Sequence, residues 1–418
     1  MILARRVFDD SPGVGLSAAF ARMGLPSAAG SFIRDTAAPH VLLLTGLEKA
    51  HGKWLKGLQA SSNDAPGREA WPVYVTGNQG VRPGTAMLVG RQEQFERLVT
   101  ALRKDPALTE LEKALVRAVA PQRPQPVTLD GKRFEWGART WVMGVVNVTP
   151  DSFSDGGEFL VPQKAIAQGK ALAAAGADLL DIGGESTRPG AAEVSEQDER
   201  ARVLPVIEGL RRECPGVPLS IDTTKPGVAE AALAAGACLV NDVTAFGHPQ
   251  MAGVVARANA ACCLMHMQGT PRTMQASPTY GDVVEEIFSA LEDAALRAVA
   301  AGIPREKIWV DPGIGFGKTL EHNLFLMKSL ADFRQLGLAV LLGTSRKSFL
   351  GKLTGGKPPQ ERVFATAATV AIAAAQGSAD VVRVHDVAAC LDALKVGDAM
   401  RQVRDGGALF TVAKRTGV

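Results

Sequence analysis

The chain has 418 residues, 46% of them hydrophobic, and a formal net charge of +3. This length suits two domains better than one, and the scattered basic residues argue against nucleic acid or a membrane surface as the main partner. Five cysteines without a C-x-x-C pair indicate neither a disulfide framework nor a zinc site. No signal peptide and no membrane-spanning apolar run are evident, which predicts a cytoplasmic protein.

The N-terminal part gives weak signals. Strands are predicted over residues 40–44, 71–76 and 86–89, followed by a helix over 92–102. We therefore expect a small α/β domain over residues 1–120, whose role the sequence does not reveal. Residues 121–126 read Pro-Gln-Arg-Pro-Gln-Pro, and their three prolines favour an extended linker. The second domain is predicted over residues 127–418.

The second domain begins with a predicted β-hairpin, because Asp130-Gly131 separates two short β-prone runs. Short, nearly continuous apolar runs then alternate with alanine-rich helical patterns, as expected for strands that are covered on both faces. Eight such repeats predict a closed (β/α)8 TIM barrel, which needs about 250 residues. The predicted strands span residues 141–148, 178–182, 218–221, 238–240, 261–265, 308–310, 339–342 and 381–384.

Polar side chains close each predicted strand at its C-terminal end, where barrel enzymes carry their catalytic groups. A single aspartate after a strand is usually a helix cap or a turn former. Polar residues at all eight ends instead predict a functional rim. The strand ends and the loops that follow them supply, in chain order, Asn147, Asp181, Asp222, Asn241, His266, Asp311, Lys347 and Arg383.

This mixture of carboxylates and cations suits a flat nitrogen heterocycle that carries an anion. A carboxylate can accept two hydrogen bonds from an amidine-like edge, as it does from arginine. A guanidinium can stack on the flat face of the ring. Arg188, Arg383 and His385 suit a phosphate-like group.

Several phrases in the second domain strongly resemble dihydropteroate synthases. They include Asp311-Pro-Gly-Ile-Gly-Phe-Gly-Lys318, Ser345-Arg-Lys-Ser348 and Arg383-Val-His-Asp-Val387. Longer matches cover residues 143–157 and 181–190, and shorter ones cover 220–223, 241–243 and 265–271. The strings follow the family order over residues 127–405. The first 120 residues lie outside the usual single-domain form of the family.

The resemblance implies a reaction of folate biosynthesis. In it, p-aminobenzoate displaces pyrophosphate from 6-hydroxymethyl-7,8-dihydropterin pyrophosphate, which gives 7,8-dihydropteroate by an SN1-like path. It also implies a homodimer, a Mg²⁺ ion with Asn147 as its ligand, and mobile lids at residues 149–157 and 186–191.

The resemblance further assigns roles to the rim residues. The pterin set is Asp222, Asn241, Asp311, Lys347 and Arg383. The diphosphate set is Asn147, Arg188, Arg383 and His385, and the p-aminobenzoate set is Thr187, Pro189, Phe316 and Ser348. The catalytic residues implied are Asp311, Lys347, Arg383, His385 and Arg188.

Two other functions remain open at this point. A barrel that transfers the methyl group of methyltetrahydrofolate to a corrinoid would share the pterin-binding carboxylates but would not need the diphosphate cations. A non-catalytic pterin-binding scaffold, which recruits a partner through its N-terminal domain, is the second alternative. The role of His266 is also open, because it could pack at its strand end or belong to the site.

Overall fold

The computed structural model describes residues 3–6, 40–62, 72–76, 84–90, 92–119, 123–149, 161–186 and 193–403. The chain divides into two compact units, Met1–Gln122 and Arg123–Val418. The division falls inside the proline-rich segment 121–126. In the described parts of the chain, no helix is both long enough and apolar enough to cross a bilayer.

The first unit contains a four-stranded antiparallel sheet with helices. The strands are β1 Leu3–Arg6, β2 His40–Thr45, β3 Val73–Thr76 and β4 Ala86–Gly90, and the helices are α1 Lys49–Ser62, α2 Gln92–Leu102 and α3 Thr109–Val119. The strands lie in the order β1-β2-β4-β3, and a core that includes Leu42, Leu44, Phe95, Leu98 and Leu115 is buried. The sequence analysis predicts neither β1, α1 nor α3, and the two glycines inside α1 weaken its helical signal.

The second unit opens with an antiparallel hairpin of β5 Val127–Leu129 and β6 Lys132–Phe134. Its turn residues, Asp130 and Gly131, have φ angles of 46° and 77°, as a two-residue hairpin turn requires. Phe134 packs against Trp141, with the ring centroids 4.6 Å apart, and Trp309 also joins this cluster. Since Trp141 begins its strand, the hairpin covers the N-terminal end of the barrel and leaves the other end for chemistry.

Eight parallel strands follow and close into a barrel, which confirms the predicted TIM barrel. Closure is completed where the last strand pairs with the first, for example Arg383 with Met143. The strand ends differ from the prediction by one or two residues, so that Asp222, Asn241 and Asp311 lie within the strands. The strands are β7 Trp141–Asn147, β8 Leu179–Gly183, β9 Leu219–Asp222, β10 Leu239–Asp242, β11 Ala261–Met265, β12 Ile308–Asp311, β13 Ala339–Leu342 and β14 Val381–Val384.

Helices connect the strands and begin or end at residues suited to those positions. Ser195 caps the helix Glu196–Glu213 by accepting a hydrogen bond from the Asp198 N–H at 3.1 Å. It therefore ends the loop that follows β8. Gly377 ends the helix Val363–Gln376 with a φ of 60° and leads into the short connection to β14. The helices are α4 Val161–Ala174, α5 Glu196–Glu213, α6 Pro226–Ala234, α7 Met251–Arg257, α8 Val283–Ala300, α9 Leu320–Lys328, α10 Ser348–Leu353, α11 Val363–Gln376 and α12 Val387–Gln402.

Candidate active site

Arg383 joins three strands at the C-terminal end of the barrel. Its Nε donates to Asp181 Oδ2 at 2.6 Å, and its Nη2 donates to Asp222 Oδ2 at 2.7 Å. Asn241 Nδ2 donates to the same Asp181 oxygen at 3.0 Å, which brings in a fourth strand. The result is one hydrogen-bonded group of two carboxylates, an amide and a guanidinium.

Asp311 and Lys347 form a second group beside it. Asp311 Oδ1 accepts a hydrogen bond from the Gly313 N–H at 2.7 Å. A Cβ atom at Gly343 would lie 3.7 Å from both Asp311 Oδ2 and Lys347 Nζ, so both side chains face the space that this glycine leaves open. Lys347 Nζ also donates to the carbonyl of Ile314.

Burial changes the pKa values of these groups. It raises the pKa of Asp222 to about 7, although nearby Arg383 opposes the change and Asp181 adds to it. Burial also raises the pKa of Asp311, which Lys347 opposes. Conversely, burial lowers the pKa of Lys347 to about 8, with Asp311 opposing. The site therefore holds groups that change charge near neutral pH, which is typical of functional sites.

Arg383 remains charged despite its burial. Burial alone lowers the pKa of its guanidinium, but the carboxylates of Asp181 and Asp222 outweigh this and hold the pKa above its usual value. The two carboxylates thus keep the Arg383 guanidinium positively charged within the site.

A third group lies where β7 and β14 end. His385 Nδ1 is 2.9 Å from Ser345 Oγ, and the His385 backbone N–H donates to the same oxygen at 3.1 Å. His385 Nε2 is 3.5 Å from Asn147 Nδ2. Arg346 next to Ser345 is held in a two-pronged ion pair with Asp386, at 2.6 and 2.9 Å. His385 and Asn147 thus present adjacent polar side chains.

The described residues contain no cluster of three or more His, Cys, Asp or Glu side chains that could hold a metal ion. Asn147 nevertheless supplies an amide oxygen at the rim, and Mg²⁺ prefers oxygen ligands while keeping waters and substrate phosphates in its shell. One amide oxygen fits a Mg²⁺ ion only where other groups, such as waters and phosphate oxygens, complete the coordination.

The structure brings together the five residues predicted to bind the pterin, namely Asp222, Asn241, Asp311, Lys347 and Arg383, in the two groups described above. Phe316 lies beside Lys347, whose Nζ is 4.6 Å from the ring centroid. Ser348 is exposed at the start of α10. Thr187, Arg188 and Pro189, and most of both predicted lids, lie outside the described residues.

Sequence reasoning left two buried side chains out of the site. Asp181, which the sequence analysis placed at a predicted strand end without a role, lies inside β8, two residues before the strand ends. Lys318 is 2% exposed, and its Nζ donates to the Phe316 carbonyl at 2.8 Å and lies 3.2 Å from His266 Nδ1. Burial lowers the pKa of Lys318 to about 7. No feature of its glycine-rich string singled it out.

The surroundings of His266 favour a packing role. Burial, together with the neighbouring Lys318 ammonium, lowers the pKa of His266 to about 3. The imidazole is therefore neutral at physiological pH, and its Nδ1 can accept a hydrogen bond from Lys318. His266 therefore contacts Lys318 at the edge of the site as a neutral group.

A closed barrel with this rim of carboxylates, amide and cations defines the class of pterin-binding enzymes. A sequence profile described as pterin binding enzyme matches residues 143–385. The chain is 48% identical to the dihydropteroate synthase of Synechocystis sp. over 281 residues, which cover 66% of this chain and 96% of that protein. The chain is 43% identical to the Escherichia coli K12 dihydropteroate synthase over 264 residues, which cover 63% of this chain and 93% of that protein.

Solved structures give the same result. The Yersinia pestis dihydropteroate synthase with a sulfonamide drug complex superposes with a TM-score of 0.63 and 44% identity, covering 67% of this chain and all of that one. The Xanthomonas albilineans dihydropteroate synthase with 4-aminobenzoic acid superposes with a TM-score of 0.63 and 45% identity. The match covers 68% of this chain and 100% of that one. The chain belongs to the dihydropteroate synthase family of transferases.

Proposed function

We propose that the chain condenses 6-hydroxymethyl-7,8-dihydropterin pyrophosphate with p-aminobenzoate to give 7,8-dihydropteroate and pyrophosphate. The observation that carries this proposal is the arrangement of Arg383 with two carboxylates next to the Asp311–Lys347 pair. Similar proteins are known with 4-aminobenzoic acid and with 7,8-dihydropteroate, which supports the same substrates and product here.

The pterin would lie between the two groups of buried side chains. Asp311 would accept hydrogen bonds from the amidine edge of the pterin, because Gly313 contacts its Oδ1 while its Oδ2 faces the space beside Gly343. Lys347 and Asn241 would donate to acceptors on the other edge of the ring. Asp222 would accept a ring N–H, and the Arg383 guanidinium would cover the ring face.

The diphosphate would lie toward the third group. Asn147, Arg188, Arg383 and His385 would hold its oxygens through hydrogen bonds and charge. A Mg²⁺ ion, bound through Asn147 and the substrate phosphates, would supply charge neutralisation on the leaving group. For p-aminobenzoate we propose Thr187, Pro189, Phe316 and Ser348.

The chemistry follows from the nucleophile. An arylamine is already neutral at pH 7, so no strong general base is needed. The bond between the pterin methylene carbon and oxygen breaks first, and its electron pair leaves with the pyrophosphate, as in an SN1-like path. Asp311 would favour the cationic pterin, while Arg383 and His385 would stabilise the departing charge. The amine lone pair then forms the C–N bond, and the nitrogen loses a proton.

Pyrophosphate release measured with both substrates tests the proposal. We expect release that requires p-aminobenzoate and the formation of 7,8-dihydropteroate in equal amount. A methyl-transferring barrel would release no pyrophosphate, and a non-catalytic scaffold would bind pterin without turnover. Either result would refute the proposed reaction.

We also propose that the chain is a cytoplasmic homodimer. Two neighbouring helices carry exposed apolar stripes: Phe364 (82% exposed) and Ile372 (53%) on α11, and Val396 (61%) and Met400 (65%) on α12. Several exposed apolar side chains on neighbouring helices are typical of a protein interface. Within each copy we assign residues 127–418 to the catalytic barrel, 121–126 to a linker, and 1–120 to a small α/β domain of separate role.

A further inference from the structure

Asp181 and Asp222 both form an ion pair with Arg383, but Asp181 is fully buried whereas Asp222 is partly exposed. We propose that Asp181 is a positioning residue, which keeps Arg383 charged and aimed while Asp222 exchanges that arginine for the pterin. This inference rests on the proposed function, because it assigns a partner for Asp222 that only a bound pterin would supply.

The position of Asp181 makes it a permanent anchor. It lies inside β8, in register with Val145 on one side and Ser220 on the other, and its side chain is fully buried. Its Oδ2 accepts hydrogen bonds from both Arg383 and Asn241. Moving this carboxylate would break both contacts in a closely packed barrel.

Asp222 has the opposite properties. It is the last residue of β9, and its side chain is 13% exposed. Its side-chain contact with Arg383, at 2.7 Å, uses one oxygen. A heterocycle that offers an N–H to this carboxylate can replace the guanidinium without disturbing the strand.

Charge balance explains why a second carboxylate is needed. If Asp222 turns to the pterin, Arg383 loses one of its two anionic partners while it remains buried. A buried cation without a partner is strongly destabilising, and Asp181 supplies the partner that remains. Asp181 Oδ1 is buried and has no hydrogen-bond partner among the described residues, so the carboxylate in turn depends on Arg383.

Asp181→Asn tests this role because it keeps the shape of the side chain and removes its charge. We expect kcat to fall about 100-fold, the loss typical of a misplaced catalytic group. The KM for the pterin pyrophosphate should rise, because Arg383 then binds Asp222 more tightly. The KM for p-aminobenzoate should not change, since Arg383 is not among the residues proposed to bind that substrate.

Asp178→Asn is the matched control. Asp178 precedes the same strand and pairs with Arg139 through two contacts of 2.7 Å, at the opposite end of the barrel. This variant should lose stability but retain kcat. Equal kcat values for the two variants would show that Asp181 has only a structural role.

Combining Asp181→Asn with Arg383→Met separates a positioning role from an independent one. If Asp181 acts through Arg383, the double variant should be no slower than Arg383→Met alone, whereas independent roles would multiply the losses. The double variant also removes both charges, so it remains informative if the single Asp181 variant fails to fold. Multiplying losses would overturn the inference.

The pH profile gives a further readout that a structural role would not move. Asp222 is faced by Arg383, Asp181, Glu199 and Asp242, so removing the Asp181 charge should shift the acidic limb of kcat/KM to lower pH. An unshifted limb would contradict the inference. If the wild-type chain itself shows no pyrophosphate release, the proposed function fails first and the inference fails with it.

Discussion

Lys347 lies against the face of Phe316, with its Nζ 4.6 Å from the ring centroid. One of these residues is assigned to the pterin and the other to p-aminobenzoate. Their contact therefore forms a wall shared by the two proposed substrate sites. Such a wall suits a reaction in which the arylamine nitrogen must approach a carbon attached to the pterin ring.

Phe316→Ala should raise the KM for p-aminobenzoate about 10-fold or more, which corresponds to about 1.4 kcal/mol of lost contact. The KM for the pterin pyrophosphate should change less, because Lys347 keeps its hydrogen bond to Ile314. Steady-state kinetics with each substrate varied in turn measure both values. Phe316→Leu is the control and should retain part of the affinity, while equal rises in both KM values would contradict the assignment.

Asp311→Asn should lower kcat/KM for the pterin pyrophosphate about 100-fold, because a neutral amide cannot accept both hydrogen bonds of the amidine edge or favour its charge. Asp380→Asn is a suitable control. Asp380 is 2% exposed and holds Arg334 and the Val340 N–H at the other end of the barrel. Near-normal turnover of Asp311→Asn would exclude the proposed pterin orientation.

The pH dependence of kcat/KM should be bell-shaped, since this parameter reports groups of the free enzyme. Asp222 has its pKa raised to about 7 and must be ionised to accept a pterin N–H, so kcat/KM should fall as the pH drops below that value. Lys347 has its pKa lowered to about 8 and must be protonated to donate with full charge, so kcat/KM should fall again at higher pH.

The limbs of this profile can be assigned by substitution. Asp222→Asn should remove the acidic limb and Lys347→Met the basic limb, each at a reduced rate. A wild-type profile that stays flat between pH 6 and pH 9 would show that neither group titrates in the reaction.

Phe364→Glu should convert the proposed dimer to monomers, because it places a charge on the most exposed apolar side chain of the α11–α12 face. Sedimentation at micromolar concentration distinguishes the two states. Leu296→Glu is the matched control, because Leu296 is 57% exposed on α8, away from that face. A wild-type chain that sediments as a monomer would reject the dimer proposal.

A truncated chain that begins at Pro126 should keep kcat within about 3-fold of the full chain, as expected for a domain with its own core. The barrel unit accounts for residues 123–418, and the curated relatives are covered over 93–97% of their own length by about two thirds of this chain. The pyrophosphate-release assay compares the two chains. A much slower truncated chain would show that residues 1–120 contribute to catalysis.

Much of the barrel could be predicted from the sequence because its strands are short apolar runs that end in polar groups. The strand limits were correct to within one or two residues, and Asp222, Asn241 and Asp311 were expected at the site for this reason. The substrate and catalytic roles assigned to the site residues all remain predictions, and Thr187, Arg188 and Pro189 also lie outside the described residues. In the first unit, β1, α1 and α3 were not predicted, and two glycines inside α1 weaken its helical signal.

The sequence by itself determined that eight strands would close a barrel and that their polar ends would meet at one rim, because apolar periodicity and strand-end chemistry are local properties of the chain. Only the tertiary structure decided which side chains pair. Arg383 meets Asp181 across 202 residues and Asp222 across 161. The charge state of each group follows from this packing, since burial and opposite charges act through space and no sequence spacing encodes their distance.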